Sequence, residues 1–486
     1  MNRDLYLLAV FIFIVLPFGF LCYQLYENEL PEFVEEFETV PIAETVEIKQ
    51  VDVPGFTDDI LALRGLLENK SYQELHQKLD EYQSNYENGQ GSEIVVDNAF
   101  SVIGTPDPTY KGLFDAWIDA MPDAYTAYLA RATYYHRVGL AKRGEAFIKD
   151  TSDEQFSGMR EAQVHARQDI DKALALNPKL TIAYSHLISI YSTEGSTQEK
   201  FKTLEQALSL DPASYIVRRD MLYYLLPRWG GSYEAIAGFL RDTEQHIDRN
   251  PDLAPLMGYL DYAKSWDTYS SKNYKKTIEH ATAAIKQGEK SYYYKKRAAA
   301  YYSLKNYKQA ISDYSSAIRL NKYNPDLYIW RAKAYMKINQ SDNALKDFEF
   351  AVALNPYDYS VRKNYAKALA SINRFSDAVD SYKIALYYNP HDEQILFRIA
   401  SINVRDLKQY KVAILPLERL LEINSEETSY WYEYITALYA LHDCEVMGAI
   451  QTYIGLCEAQ GDCFDAGLKW ARKNYVHLKQ TYCKAE

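Results

Sequence analysis

The chain has 486 residues, 48% hydrophobic and 25% charged, a globular composition with room for two to four domains or for one long solenoid. Its 66 acidic against 54 basic residues leave a net charge of −12, which disfavours a general nucleic-acid binder. Tyrosine stands out at 45 residues, and most of these rings fall where one helix would pack on the next.

Leu5 to Tyr23 is a run of 19 uncharged, mostly apolar residues that as a helix would rise about 28 Å, enough to cross a bilayer core. Residues 1–26 therefore read as a single-pass membrane anchor. A cleaved signal peptide is the competing reading, but Phe20, Leu21 and Tyr23 are large where a cleavage site needs small residues. Leu21 likewise opposes a lipoprotein reading of Cys22. Arg3 precedes the span and no Lys or Arg follows until Lys49, which orients the amino terminus inward and the body outside the cytoplasm, periplasmic on an inner membrane. Residues 27–57, with eight glutamates and Pro31, Pro41 and Pro54, read as an extended acidic linker, the alternative being a weak strand over 40–53.

From Asp58 the apolar spacing becomes helical, and residues 58–250 form a first helical domain. Ile60, Leu63, Leu67, Leu75 and Leu79 mark a hairpin, glycine-rich breaks follow at 89–92 and 104–112, and Trp117 is placed as a buried anchor. A long helix spans Tyr125 to Leu140, but its partner is not expected until about Ser157. Pro251 to Pro255 marks an internal boundary, residues 251–426 form an array, and residues 427–486 form a helical cap that covers its last apolar face.

The array is explicit between Ser291 and Pro390. Ala298, Ala332 and Ala366 recur every 34 residues, as do Ala310, Ala344 and Ala378, then Ala317, Ala351 and Ala385, with Tyr314, Phe348 and Tyr382 at one more shared place. This pattern resembles the tetratricopeptide repeat (TPR), which implies an all-α solenoid of helical hairpins wound as a right-handed superhelix. In the same register Ala166, Ile170 and Ala173 place roughly 22 extra residues inside the repeat that begins near Tyr125. The block from Arg131 to Met159, with Arg131, Arg137, Gly139, Arg143 and Gly144, resembles an uncharacterised bacterial domain family over about Leu61 to Leu226. That family brings no activity with it.

Repeats of this type usually bind partners on a concave face, lined by unit positions 2, 5, 9, 12 and 13. Those positions hold Tyr292, Lys295 and Tyr302, then Lys333 and Lys337, then Lys363 and Lys367. Lysines and tyrosines together suit an acidic or carboxylate-ended peptide, while a merely solvated face is the plainer reading. Lys363, Lys367 and Asn364 resemble part of the carboxylate clamp of chaperone-binding repeats. Ala299 and Trp330 stand where that clamp needs asparagines.

Arg131, Arg137 and Arg143 make the inserted segment a second candidate site, or else a cover paired with nearby acids. Cys444, Cys457, Cys463 and Cys483 crowd the cap. If the body is exported, helix directions favour Cys444–Cys483 and Cys457–Cys463 bonds; free thiols in a cytosolic body, or a zinc site with His442 or His477, are the alternatives. No HExxH, GxSxG, CxxC or phosphate-cradling loop occurs, so neither cofactor nor metal is expected. The sequence reads as a non-enzymatic, membrane-anchored scaffold for protein partners in a bacterial envelope assembly. The alternatives are a cytosol-facing adaptor and an enzyme with its site near residues 131–160.

Overall fold

The computed structural model of the chain describes residues 59–144, 151–356, 358–389, 391–461 and 465–481. The expected anchor at 5–26, the acidic linker and two of the four cap cysteines, Cys463 and Cys483, lie outside them. Among the described residues there is no strand, and no helix is long and apolar enough to cross a membrane.

The helices follow one another as hairpins. The first group is α1 (Asp59–Glu68), α2 (Tyr72–Glu87), α3 (Glu93–Ile103) and α4 (Lys111–Ala120). The paired helices begin with α5 (Tyr125–Arg143) and α6 (Asp153–Leu176), then α7 (Thr181–Glu194) and α8 (Thr197–Leu210), then α9 (Tyr215–Tyr224) and α10 (Tyr233–Glu244). After a 3-10 segment at Pro251–Gly258 come α11 (Tyr259–Ser270) with α12 (Tyr274–Gln287), α13 (Ser291–Ser303) with α14 (Tyr307–Leu320), and α15 (Pro325–Lys337) with α16 (Ser341–Leu354). The last are α17 (Tyr359–Ser371) with α18 (Phe375–Tyr388), α19 (Glu393–Arg405) with α20 (Tyr410–Ile423), and the cap helices α21 (Thr428–Leu441), α22 (Val446–Gln460) and α23 (Asp465–Thr481).

Why the repeat spacing produces hairpins is visible in burial. All nine alanines of the three clean series are 0% exposed, because the two helices of a unit and the next unit meet there and a larger side chain would hold them apart. Tyr314, Phe348 and Tyr382 fill the space left beside them. Three further rules repeat along the chain. In the first two clean units position 7 carries an arginine bonded twice to the aspartate at position 23, Arg297–Asp313 and Arg331–Asp347, while the third has Tyr365 and Ser381 there. Position 4 reaches back six residues to a carbonyl of the preceding loop, as Arg218 does to Pro212 and Tyr328 to Lys322, orienting each unit on the one before. The turn inside each hairpin holds one left-handed residue, Lys272, Lys305, Asn339, Asn373 and Lys408 in succession.

The inserted repeat obeys the same rule at a larger separation. Arg131 bonds both oxygens of Asp169, 38 residues on, where the clean units need 16, so 22 residues are inserted between bridge partners. They mainly lengthen the hairpin: α5 has 19 residues and α6 has 24, against 13 and 14 in α13 and α14. The partner helix starts at Asp153, earlier than the expected Ser157, because Ser152 and Gln155 form a reciprocal capping box there. Trp117 is fully buried, and the largest apolar cluster runs from Ile60 to Tyr293, so the core is continuous past Pro251.

Candidate functional site

A strip of cations laid on aromatic rings runs along the middle of the array, from Trp229 to Trp330. On α11, Trp266 and Tyr269 occupy the places equivalent to unit positions 9 and 12. The Lys296 ammonium of α13 lies 3.2 Å from the Trp266 ring centroid and 4.9 Å from that of Tyr269. Arg228 stacks 5.1 Å from the same indole and 5.5 Å from Trp229, and Arg143 lies 5.1 Å from Trp229. Burial, with Lys295 and Arg228 adding their positive charge, pushes the Lys296 amine down to about 7. Lys290, 4.1 Å from the Tyr215 ring, is likewise pushed down by burial, to about 8.

Toward the carboxyl end the strip continues through Trp330. Its ring meets Tyr302 edge-on at 5.7 Å, and Lys333 sits 4.4 Å from its centroid. Burial and the neighbouring charge of Lys367 hold Lys333 below its ordinary range, against a weaker pull from Asp326. Burial, Lys363 and Arg398 do the same to Lys367, with Asp392 opposing.

The residues expected to line the groove fall into three kinds. Lys333, Lys337, Lys367 and Tyr302 lie on this face, with Lys337 exposed. Lys295 and Lys363 lie there too but are already paired, Lys295 with Asp326 at 2.9 Å and Lys363 with Asp392 and the Tyr359 hydroxyl, each at 2.8 Å. Tyr292 packs among Tyr259, Tyr262 and Tyr293, with centroids 4.7–6.0 Å apart, as part of an aromatic core. Sequence counting passed over Lys296 because it sits at position 6, outside the usual lining set. Its spacing from Trp266, position 6 against position 9 of the previous unit, is the signal that would have found it.

The three arginines of the inserted repeat serve separate structural purposes. Arg131 makes the Asp169 bridge and a second ion pair with Asp115 at 2.8 Å. Arg137 donates to the carbonyls of Ser101 and Gly104, at the carboxyl end of α3. Arg143 is 5% exposed and donates to the Gly144 carbonyl. Cys444 is exposed and Cys457 buried; with Cys463 and Cys483 outside the described residues, the expected pairings are not placed. Among the described residues no cluster of His, Cys, Asp or Glu is arranged to hold a metal ion.

A family model described as TPR repeat matches residues 298–339, and one described as tetratricopeptide repeat matches 325–358. A domain of unknown function, DUF4034, matches 59–198 and 191–246. No curated protein matches the sequence. Solved structures that it resembles include part of a TPR repeat-containing protein from Cytophaga hutchinsonii, 17% identical over 45% of this chain and 89% of that one, TM-score 0.40. Others are the MamA protein, 14% identical over 35% and 93% with TM-score 0.33, and YrrB, described as a TPR protein with an unusual peptide-binding site, 18% identical over 40% and 96% with TM-score 0.32. Among the described residues the chain is thus an all-helical array with tetratricopeptide repeats, and residues 59–246 before them match the uncharacterised DUF4034 domain.

Proposed function

We propose that the chain is a membrane-anchored scaffold that binds a protein partner along the cation–aromatic strip, taking an extended segment that bears carboxylates or ends in one. Residues 5–26 supply the anchor, the body lies outside the cytoplasm, and Cys444–Cys483 and Cys457–Cys463 staple the cap. The observation that carries the binding role is the pair Lys333 and Lys367. They occupy position 9 of adjacent units, the Lys367 charge weakens Lys333's hold on its proton as Lys363 and Arg398 weaken that of Lys367, and neither forms an ion pair with a described residue. A carboxylate bridging them would relieve that repulsion, while Trp330, 38% exposed, offers an apolar platform beside it.

The test is a photo-crosslinking amino acid placed at Trp330 or, as control, at Lys346, which is exposed on the second helix of the same unit. In intact membranes, discrete protein adducts should form from position 330 and not from 346. The same adducts from both positions, or none from 330, would contradict the reading.

A further inference from the structure

Five units carry a leucine or isoleucine at position 30, at the end of the second helix, and four of these five side chains are left in solvent. Leu176, Leu210, Leu320 and Ile423 are 37–43% exposed at this position, whereas Leu354 is 5% exposed. The first described helix of the chain reaches this end of α16: Leu61 of α1 packs against the apolar cluster that contains Val352 and Leu354. Beside it the Arg64 guanidinium, itself 9% exposed, donates to the carbonyls of Ala353 at 3.2 Å and Leu354 at 2.8 Å, and to that of Val102 at 2.9 Å. Thr105 adds a bond to the Asn355 side chain at 3.2 Å.

We infer that α1 is an internal clasp: residues 59–68 dock on the end of α16, and Arg64 latches the amino-terminal helices to the repeat array. The chemistry is that of a shared helix cap. The last carbonyls of a helix lack partners within it and carry the negative end of its dipole. One guanidinium meets that need at the ends of α3 and α16 together, so the two helices are held at a fixed separation. Leu176, Leu210, Leu320 and Ile423, at the same place in other units, stay 37–43% exposed, so the contact depends on Leu61 and Arg64 and is not a general property of the repeat. Because α15 and α16 are one hairpin, the clasp also fixes the unit that carries Trp330 and Lys333. Only this last link to partner binding rests on the proposed function; the clasp does not.

Amide hydrogen exchange on the full chain tests it. The Asn355 amide closes the last turn of α16 on Ala351, and the Gly104 amide closes that of α3 on Phe100. Asn321 and Asn424 hold the equivalent place in units without the clasp. In Arg64→Ala, exchange at Asn355 and Gly104 should accelerate by about tenfold or more while Asn321 and Asn424 stay as they were, and Arg64→Lys should fall between, since an ammonium reaches fewer of the three carbonyls. Should Arg64→Ala lose protection throughout, Leu61→Ala, which thins the contact without disturbing a buried charge, is read by the same comparison. No acceleration at Asn355, or equal acceleration at Asn424 in the Leu61 variant, would overturn the clasp.

Discussion

Arg331 and Asp347 illustrate how a charged pair is used inside the array. The aspartate side chain is 4% exposed and bonded through both oxygens, so removing the arginine strands a buried carboxylate. Arg331→Ala should cost about 3 kcal/mol in urea unfolding. Arg374→Ala, at a pair whose partners are 45% and 50% exposed, should cost under about 1 kcal/mol. Equal costs would mean that burial is not what makes the bridge matter. Lys296 gives a pH signature. Its folded amine is held down to about 7 by burial, while the unfolded chain keeps the ordinary value near ~10.4, so between those values the unfolded chain binds the extra proton and stability rises with pH. Lys296→Met should therefore be the more stable form at pH 7, with its advantage shrinking as pH approaches 10 in paired unfolding curves. The alanines and the aromatics beside them were legible in sequence because they recur at fixed spacing. Lys296 was not, because it sits at position 6, outside the usual lining set, and its partner Trp266 lies in a unit whose register shifts by one residue.

At the scale of the element, each hairpin turn places one residue in the left-handed region, at φ near +60°, and three of the five in the array are lysines. Lysine gains nothing there that asparagine would not, and asparagine tolerates the conformation better. Lys305→Asn should raise the thermal midpoint, with a gain of up to about 1 kcal/mol, and Asn339→Ala should lower it by a similar amount. The inserted repeat is a case where the sequence register located the insertion but not its form. Its residues mostly extend α5 and α6, and the capping box at Ser152 that starts α6 early was already present as Ser-Asp-Glu-Gln. Arg131, Arg137 and Arg143 drew attention as charges near glycines; two of them take their meaning from partners 33–38 residues away, which no local pattern contains.

The whole molecule joins two readings that sequence alone left apart, a family-specific half and a repeat array. Arg64 contacts carbonyls 289 and 290 residues further along, a separation beyond any periodicity argument, and the burial of Leu354 against its exposed equivalents marks where the two halves meet. The array in turn presents aromatic rings and lysines whose charges are only partly answered. Lys295 and Lys363 hold carboxylates of neighbouring units, leaving Lys333, Lys337 and Lys367 as the cations a partner would meet. Binding there should weaken with salt, because several like charges act together.

The most direct measurement of that claim is titration of the full chain with a hexaglutamate peptide carrying a free carboxyl terminus, at low and at physiological salt, beside the double variant Lys333→Glu, Lys367→Glu. Saturable binding to the native chain is expected, weakened at least tenfold in the double variant, with the helical content unchanged. Binding of equal strength in both chains, or no binding to the native chain at low salt, would contradict it.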